Sequence, residues 1–311
     1  MGRRRRVRVA LACLVGSAML LTVAPYLPDS PVSNLRLDRV FHGQSDSDPS
    51  PPPAEALAPS APAPVASPLD SPSPSPQPAR NPLLQAARVT LSASGYWSWA
   101  LLDLGTGQIV GSADPSTTSD TASMVKTWIA ADYLRRAAER GRTPSATTLS
   151  QLSTMIRDSD NTNAYTFHVA NGNLASITRM ISICELADTR GTQNSWSLTQ
   201  MSTRDITRLA ACLADGRAAG PSWTAWLLTE MRQVRGAGRF GVIQALPDEV
   251  AARTAIKNGW ILRDADRLWH ISCLAVGDGW ALGVHARYRN TLGKDYGATI
   301  CRSVGEQLMA G

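Results

Sequence analysis

The sequence predicts a mixed α/β domain of the α+β type over residues 83–311. Two features predict it: short stretches of alternating apolar and polar residues near both ends of this region, and a long helix-rich middle between them. The predicted order is a helix, two strands, a helical insert, three strands and a closing helix. An apolar content of 43% is ordinary for a domain with a packed core.

The first predicted elements are a helix and a hairpin. We expect the helix from Pro82 to Leu91 and the first strand from Tyr96 to Leu104, where apolar and polar side chains alternate. The glycines of Gly105-Thr106-Gly107 favour a turn, which brings Gln108–Ser112 back as the paired strand.

The last predicted elements are three strands and a helix. Strand patterns run over Thr254–Ile261, His270–Val276 and Trp280–Tyr288, with the turn Gly277-Asp278-Gly279 between the last two. The segment Tyr296–Met309 has helical periodicity and is expected to close the domain.

Residues 1–28 predict a membrane anchor or an export signal. Five arginines near the N-terminus precede an apolar run from Val9 to Ala24, and such arginines hold the start of a span in the cytoplasm. An uncleaved anchor is favoured over a cleaved signal, because the small residues before Pro25 form a poor cleavage site. Cys13 faintly resembles a lipoprotein acceptor and is interpreted instead as an apolar residue within the span. The domain at 83–311 would then lie outside the cytoplasm, or be secreted if the signal is cleaved.

Residues 29–82 predict an extended tether between the anchor and the domain. Most of the chain's 20 prolines lie between Asp46 and Pro82, spaced by alanine and serine. Proline removes backbone donors and favours extended conformations, so this composition does not form a packed core.

The charge distribution gives no indication of a nucleic-acid partner, and none is expected. The net charge is +6, and the N-terminal arginines supply most of it. The rest of the chain is nearly neutral and shows no basic stripe of the kind that binds polyanions.

A nucleophilic serine is indicated by Ser123-Met124-Val125-Lys126. Asp120 or Thr121 is expected to cap a helix that begins here, which places Ser123 in the first turn with the amine of Lys126 beneath its hydroxyl. A serine hydroxyl becomes a good nucleophile when a neighbouring base accepts its proton, and a lysine kept neutral by burial can do so.

Two further motifs follow in order along the chain. Ser159-Asp160-Asn161 lies within the helical insert, and Lys257-Asn258-Gly259 lies on a strand that leads into Trp260. Each of the three motifs alone has an ordinary interpretation. In order, these are a capping serine with a solvated lysine, a polar turn, and an edge lysine before a glycine. The three together resemble the signature of the penicillin-recognising serine hydrolases, which include class A β-lactamases and D-Ala-D-Ala-cleaving penicillin-binding proteins.

The resemblance covers the chain after the tether and implies a fold and a chemistry. The fold is an antiparallel sheet flanked by terminal helices, with an all-helical subdomain inserted after the second strand. The substrates are β-lactams or peptidoglycan stem peptides, with no cofactor. The third motif departs from the family by carrying Asn258 in place of a threonine.

The resemblance also implies a role for each matched residue. Ser123 attacks the carbonyl, Lys126 takes its proton and Ser159 passes a proton to the leaving nitrogen. Asn161 holds the acylamide oxygen of the substrate. The remaining roles belong to the strand: Lys257 gives positive potential, Asn258 imperfectly replaces a carboxylate-binding hydroxyl, Gly259 allows close approach, and Trp260 shares the oxyanion hole with Ser123 through backbone N–H groups.

Two arginines and two acids need separate interpretation. Arg263 or Arg267 could add a contact to the substrate carboxylate, with a surface position as the simpler alternative. Class A enzymes carry a glutamate that activates the hydrolytic water, in a Glu-x-x-x-Asn pattern on a loop after the Ser-Asp-Asn motif. We expect this loop to be shortened here. The only acids between Asn161 and the helix expected near Ser197 are Glu185 and Asp188, and neither matches that pattern.

The cysteines of the exported domain predict disulfides. Four of them lie after the tether, and four cysteines allow three pairings. We favour Cys184 with Cys212 and Cys273 with Cys301, the alternative being four buried thiols.

No metal site is expected, because the histidines show no ligand spacing and are interpreted as structural: His42, His168, His270 and His285.

Two functions of different classes remain open from sequence. One is a monomeric, membrane-tethered serine hydrolase that forms an acyl-serine and deacylates slowly. The other is a weak or inactive binder that senses cell-wall fragments through the same pocket. Asn258 and the missing glutamate favour the second. The first is favoured by the intact motif residues Ser123, Lys126, Ser159 and Lys257.

Overall fold

The computed structural model describes residues 88–193 and 195–310. The predicted anchor at 1–28 and tether at 29–82 lie outside the described residues, as does the start of the predicted first helix. In the described part, no helix is long and apolar enough to cross a membrane.

A five-stranded antiparallel sheet forms the frame, with strand order β2-β1-β7-β6-β5. The pattern of alternating side chains predicted these strands to within two or three residues. They are β1 (Tyr96–Asp103), β2 (Ile109–Gly111), β5 (Ala255–Arg263), β6 (Leu268–Gly277) and β7 (Trp280–Arg289). The family's third motif therefore lies within an edge strand.

Helices fill the sequence between the hairpin and the last three strands. They are α1 (Lys126–Glu139), α2 (Ala146–Arg157), α3 (Asn161–Ala170), α4 (Leu174–Ile183), α5 (Thr203–Ala214), α6 (Thr224–Arg232) and α7 (Asp248–Arg253). A small second sheet pairs β3 (Thr118–Asp120) with β4 (Gln200–Ser202) in antiparallel fashion. The closing helix α8 spans Gly293–Ala310, slightly longer than predicted.

The two faces of the sheet pack against different helices. A Cβ on Gly283 of β7 would lie 2.7 Å from both Ile206 Cβ and Thr203 O of α5, so α5 packs closely on this face. A Cβ on Gly297 of α8 would lie 2.3 Å from Ile271 Cγ1, so α8 packs on the other. Because side chains alternate along a strand, the register assigns each residue of β5 to one of these faces.

Two predicted helices differ from the structure. Residues 88–91 are not helical: the side chain of Gln307 bonds both the N–H and the C=O of Thr90, at 2.8 Å each, which holds the backbone extended against α8. The helix expected near Ser197 is only a 3-10 turn at Trp196–Leu198. The true helix α5 begins at Thr203, where the hydroxyl of Ser202 accepts from the amide of Asp205 at 3.1 Å.

Both favoured disulfides are present. Cys184, at the end of α4, joins Cys212 of α5, and Cys273 of β6 joins Cys301 of α8. All four cysteines are buried, and each pair closes a loop of 28 residues. The first pair therefore fixes the end of α4 to α5, the helix that packs on one face of the sheet.

We expect the variant Cys184→Ala/Cys212→Ala to lose about 2–4 kcal/mol of unfolding free energy, because the disulfide restricts the unfolded chain. Urea unfolding of the full-length protein measures the loss. The matched variant Cys273→Ala/Cys301→Ala removes a disulfide that closes a loop of the same length, and we expect it to lose a similar unfolding free energy. An unchanged urea midpoint after reduction of wild type would contradict both disulfides.

Candidate active site

Ser123 lies on a tight turn at the start of α1. Residues Ala122–Val125 form a 3-10 turn, and Ala122 has a φ of 45°, a conformation that a residue with a side chain adopts at a cost in energy. The predicted cap is wrong, because neither Thr121 nor Asp120 caps this turn. The turn is held instead by the amide of Met124, which donates to Thr121 O at 3.0 Å.

Lys126 lies one turn after Ser123 and is fully buried. Its amine donates to the backbone oxygen of Ser159, to Ser159 Oγ at 3.3 Å and to Asn161 Oδ1 at 2.8 Å. Among the side-chain hydrogen bonds of the described residues, none joins Lys126 to the Ser123 hydroxyl. The structure therefore brings the first two motifs together through Lys126.

Ser159 connects the two lysines of the motifs. It lies between α2 and α3 with a φ of 63°, and the next residue, Asp160, caps α3 by accepting from the amide of Asn163 at 2.7 Å. The amine of Lys257 donates to Ser159 Oγ at 3.0 Å. One hydroxyl is thus shared by two buried amines.

Burial disfavours the charged form of both lysines. It lowers the pKa of Lys126 to about 7, although the carboxylate of Asp160 acts in the opposite direction. Burial and the nearby charge of Lys126 hold the pKa of Lys257 well below its usual range. The positive potential expected of Lys257 therefore carries an energetic cost, whereas a neutral amine able to accept a proton is favoured at this position.

Gly259 allows β5 to touch the turn that carries the serine. A Cβ on Gly259 would lie 2.1 Å from Thr121 O and 2.8 Å from the backbone nitrogen of Ser123. No side chain fits there without moving one backbone away from the other. The contact brings the backbone of Ser123 beside the strand that carries Trp260.

The side chains of Asn258 and Trp260 point to the opposite face of β5. Asn258 is 2% exposed, and its amide nitrogen donates to Gly238 O at 3.0 Å and Phe240 O at 2.8 Å. Its donor is therefore bound to the backbone, which removes the basis for the expected contact with a substrate carboxylate. The ring of Trp260 meets Phe240 edge to face, with Lys294 Nζ 5.0 Å from its centre.

Arg263 forms an ion pair that sequence reasoning missed. Its Nε donates to Asp120 Oδ2 at 2.6 Å, and its guanidinium also donates to Ser197 O at 2.7 Å. Gln200 of β4 donates to the same carboxylate. An acid three residues before Ser123 was the available signal. Arg267, in contrast, is an exposed turn residue.

The loop after α4, where class A enzymes would carry the hydrolytic glutamate, places an aromatic ring near Lys126. Glu185 is exposed, and the carboxylate of Asp188 accepts from Ser202 Oγ at 2.7 Å and from the guanidinium of Arg204. The ring of Trp196 lies 4.9 Å from Lys126 Nζ. Trp196 had no sequence signal, because its position depends on how the shortened loop folds back over α1.

The described histidines take structural positions. His168 is buried in α3, His270 lies between Ser119 and Asp266, and His285 lies between two strand carbonyls. The described residues contain no group of three or more histidine, cysteine or acidic side chains able to hold a metal ion. His42 lies outside them.

We expect Gly259→Ala to slow labelling of Ser123 by about 10²-fold or more, because the added Cβ separates β5 from the turn and displaces the backbone N–H groups of Ser123 and Trp260, the predicted oxyanion donors. The labelling rate with a fluorescent penicillin measures it. Gly238→Ala is the matched control, since its Cβ would make an ordinary contact at 3.5 Å. Equal rates for the two variants would contradict this role of Gly259.

We expect the acylation rate to depend on pH through Lys126. The amine must be neutral to accept a proton, and its pKa is about 7, so the rate should fall about tenfold per pH unit below 6 and level off above 8. Labelling rates between pH 5 and 9 measure this. A rate that is flat over the range would exclude Lys126 as the base.

Comparison with known proteins gives mycobacterial sequence relatives that share one name, and many structural relatives. No protein-family profile matches the chain. "Putative lipoprotein LppW" of Mycobacterium tuberculosis and of Mycobacterium bovis is 30% identical over 185 residues, or 58% of this chain. The match spans 59% of the relative's own length.

The structural relatives are class A β-lactamases and extended-spectrum enzymes. A β-lactamase from Burkholderia vietnamiensis has a TM-score of 0.59 at 17% identity, covering 74% of this chain and 94% of its own. TLA-3 extended-spectrum β-lactamase has 0.57 at 13%, covering 70% and 94%. The class A β-lactamase of Mycobacterium abscessus has 0.55 at 12%, covering 70% and 93%. The domain therefore has the fold of the class A β-lactamases, as the three motifs predicted.

Proposed function

We propose that this chain is an exported, membrane-tethered serine hydrolase that forms an acyl-enzyme on Ser123 with β-lactams or D-Ala-D-Ala peptides and releases it slowly. The observation that carries the proposal is the Ser159 hydroxyl held between the buried amines of Lys126 and Lys257. Stability alone gives no reason to bury two amines around one hydroxyl, because each burial disfavours a charge.

The proposed acylation uses Lys126 as the base and the Ser159 hydroxyl as the relay. Neutral Lys126 accepts the proton of the Ser123 hydroxyl as its oxygen attacks the carbonyl carbon, and the N–H groups of Ser123 and Trp260 stabilise the resulting oxyanion. The proton then passes from Lys126 to Ser159, whose own proton moves to the nitrogen as the amide bond breaks. The distance of 3.3 Å between Lys126 Nζ and Ser159 Oγ suits that transfer.

Substrate binding uses groups that the fold leaves available. Asn161 Oδ1 accepts from Lys126, so its amide nitrogen can donate to an acylamide oxygen of the substrate. The carboxylate of a β-lactam or of a terminal D-Ala would favour protonation of Lys257 when it arrives. Binding and charging of Lys257 are then coupled, which partly replaces the contact that Asn258 does not make.

Slow release follows from the loop after α4. Hydrolysis of an acyl-serine needs a water held by a general base, and a positioned base typically contributes about 10²–10⁴-fold. Asp188 is bound to Ser202 and Arg204, Glu185 faces solvent, and the indole of Trp196 lies beside Lys126. An indole cannot accept a proton from water, so the ester should persist.

An extracytoplasmic location is supported by three observations. They are the arginines before the apolar run, the two disulfides, and the name of the mycobacterial relative, a lipoprotein. That name also gives weight to lipidation of Cys13 as an alternative to a spanning anchor. Membrane tethering and a monomeric state are parts of the proposal.

We expect a fluorescent penicillin to label wild type but not Ser123→Ala, and the adduct to persist for many minutes. Intact-mass spectrometry before and after removal of free penicillin measures both properties. Ser182→Ala is the matched control, since this serine is exposed on α4 and should label normally.

Two other outcomes would change the proposal. Rapid turnover of a chromogenic cephalosporin would show that a hydrolytic base operates, which contradicts slow release. Absence of an adduct together with reversible binding of stem peptides would favour the cell-wall binder, for which the bound amide of Asn258 is the supporting observation.

A further inference from the structure

Helix α3 presents an apolar surface to solvent just beyond Asn161. Tyr165 is 67% exposed and Val169 is 45% exposed. In the described part of the chain only Leu262 and Leu292, on other elements, are comparably exposed large apolar side chains. Single exposed apolar residues are common on protein surfaces, whereas two neighbours on one helix form a surface that a ligand can cover.

This surface begins at the candidate active site. Asn161, Tyr165 and Val169 follow one another at intervals of four residues along α3, and residues with this spacing share one helix face. We call these three residues the α3 face. Its first member points into the site, because Asn161 Oδ1 lies 2.8 Å from Lys126 Nζ. The apolar part of the α3 face therefore lies one and two helical turns from the buried lysine.

Helix geometry directs the ring of Tyr165 back toward Asn161. Every Cα–Cβ bond of a helix is tilted toward the N-terminus, so a long side chain covers the turn that precedes it. The Cβ atoms of residues four apart are about 5–6 Å from each other. The ring of Tyr165 therefore lies beside the Asn161 side chain.

The loop after α4 leaves this ring accessible. The loop contacts the site through Trp196, whose ring lies 4.9 Å from Lys126 Nζ, while Tyr165 keeps most of its surface in solvent. None of the aromatic ring pairs in the described residues includes Tyr165. A ligand held by Asn161 can therefore cover the ring without displacing another side chain from it.

The composition of α3 favours an apolar ligand group. The helix has the sequence Asn-Thr-Asn-Ala-Tyr-Thr-Phe-His-Val-Ala, with no acidic residue, lysine or arginine. Its one titratable base, His168, is buried on the inner side. The α3 face thus offers an aromatic ring and a valine, and no charge to hold a charged substituent.

We infer that the ring of Tyr165 binds an apolar acyl group of the substrate, which makes Tyr165 a specificity-determining residue. The inference rests on the proposed function, in which the amide nitrogen of Asn161 donates to the acylamide oxygen. The acyl substituent then starts at the carbonyl carbon beside Asn161, and a phenyl ring one methylene farther reaches the next helical turn. Substrates with a phenyl or alkyl group at this position are therefore preferred over those with a short acyl group.

The test compares two penicillins that differ in their acyl group, phenylacetyl in benzylpenicillin and acetyl in 6-acetamidopenicillanic acid. Intact-mass spectrometry of the full-length protein measures the labelling rate of Ser123 with each, and we expect wild type to prefer benzylpenicillin. Tyr165→Ala should lower the ratio of the two rates about tenfold, whereas Tyr165→Phe keeps the ring and should keep the ratio. Thr166→Ala is the matched control, because this exposed neighbour points about 100° farther round the helix and should leave the ratio unchanged.

Two labelling results would overturn the inference. One is a wild-type ratio near one, which would show that the phenyl group is not recognised. The other is the same ratio in Tyr165→Ala as in wild type, which would assign the recognition to another part of the site.

Reversible binding separates this inference from acylation itself. Ser123→Ala cannot form the acyl-serine, and isothermal titration measures its affinity for phenylacetyl-D-Ala-D-Ala and for acetyl-D-Ala-D-Ala. We expect tighter binding of the phenylacetyl peptide, and loss of that preference when Tyr165→Ala is added. If wild type forms no adduct with either penicillin, a retained preference supports Tyr165 and contradicts the acyl-enzyme alone. Equal affinities, or no binding of either peptide, would then overturn the role of Tyr165.

Discussion

The site depends on a balance between two buried amines and the one hydroxyl that they share. Lys126 and Lys257 approach Ser159 from different parts of the chain, one from α1 and one from β5. Two ammonium groups this close repel each other in a medium of low dielectric, so at most one is readily charged. The Ser159 hydroxyl contacts both amines only when the helical insert and the sheet hold their observed relative position.

Packing and an ion pair hold the turn that carries Ser123 in place. Gly259 lets the edge strand lie directly against the serine turn, and the Asp120–Arg263 ion pair joins that turn to the same strand a few residues farther on. Gln200 extends the network to β4. Ser123 is thus fixed from one side by backbone contact and from another by charge, while the strain at Ala122 is held between them.

The sequence was sufficient for the frame and for the residues of the motifs. Alternation identified the five strands of the main sheet, and motif order identified the lysines and Ser159. It was insufficient where a long-range contact decides a side chain's direction. Asn258 lies in a recognised motif yet binds the backbone at 238 and 240, and Trp196 meets Lys126 only because the loop after α4 folds back. The first helix failed because Gln307, more than 200 residues away, bonds Thr90.

The loop that carries Trp196 is fixed at both ends, by the Cys184–Cys212 disulfide before it and by the pairing of β4 with β3 after it. Chain added between two such anchors costs little closure entropy and leaves both of them intact. A carboxylate could therefore be introduced by lengthening this segment, without rebuilding the core. Under the proposed function, faster hydrolysis of the acyl-enzyme could evolve through an insertion here, without a change at Ser123 or at either lysine.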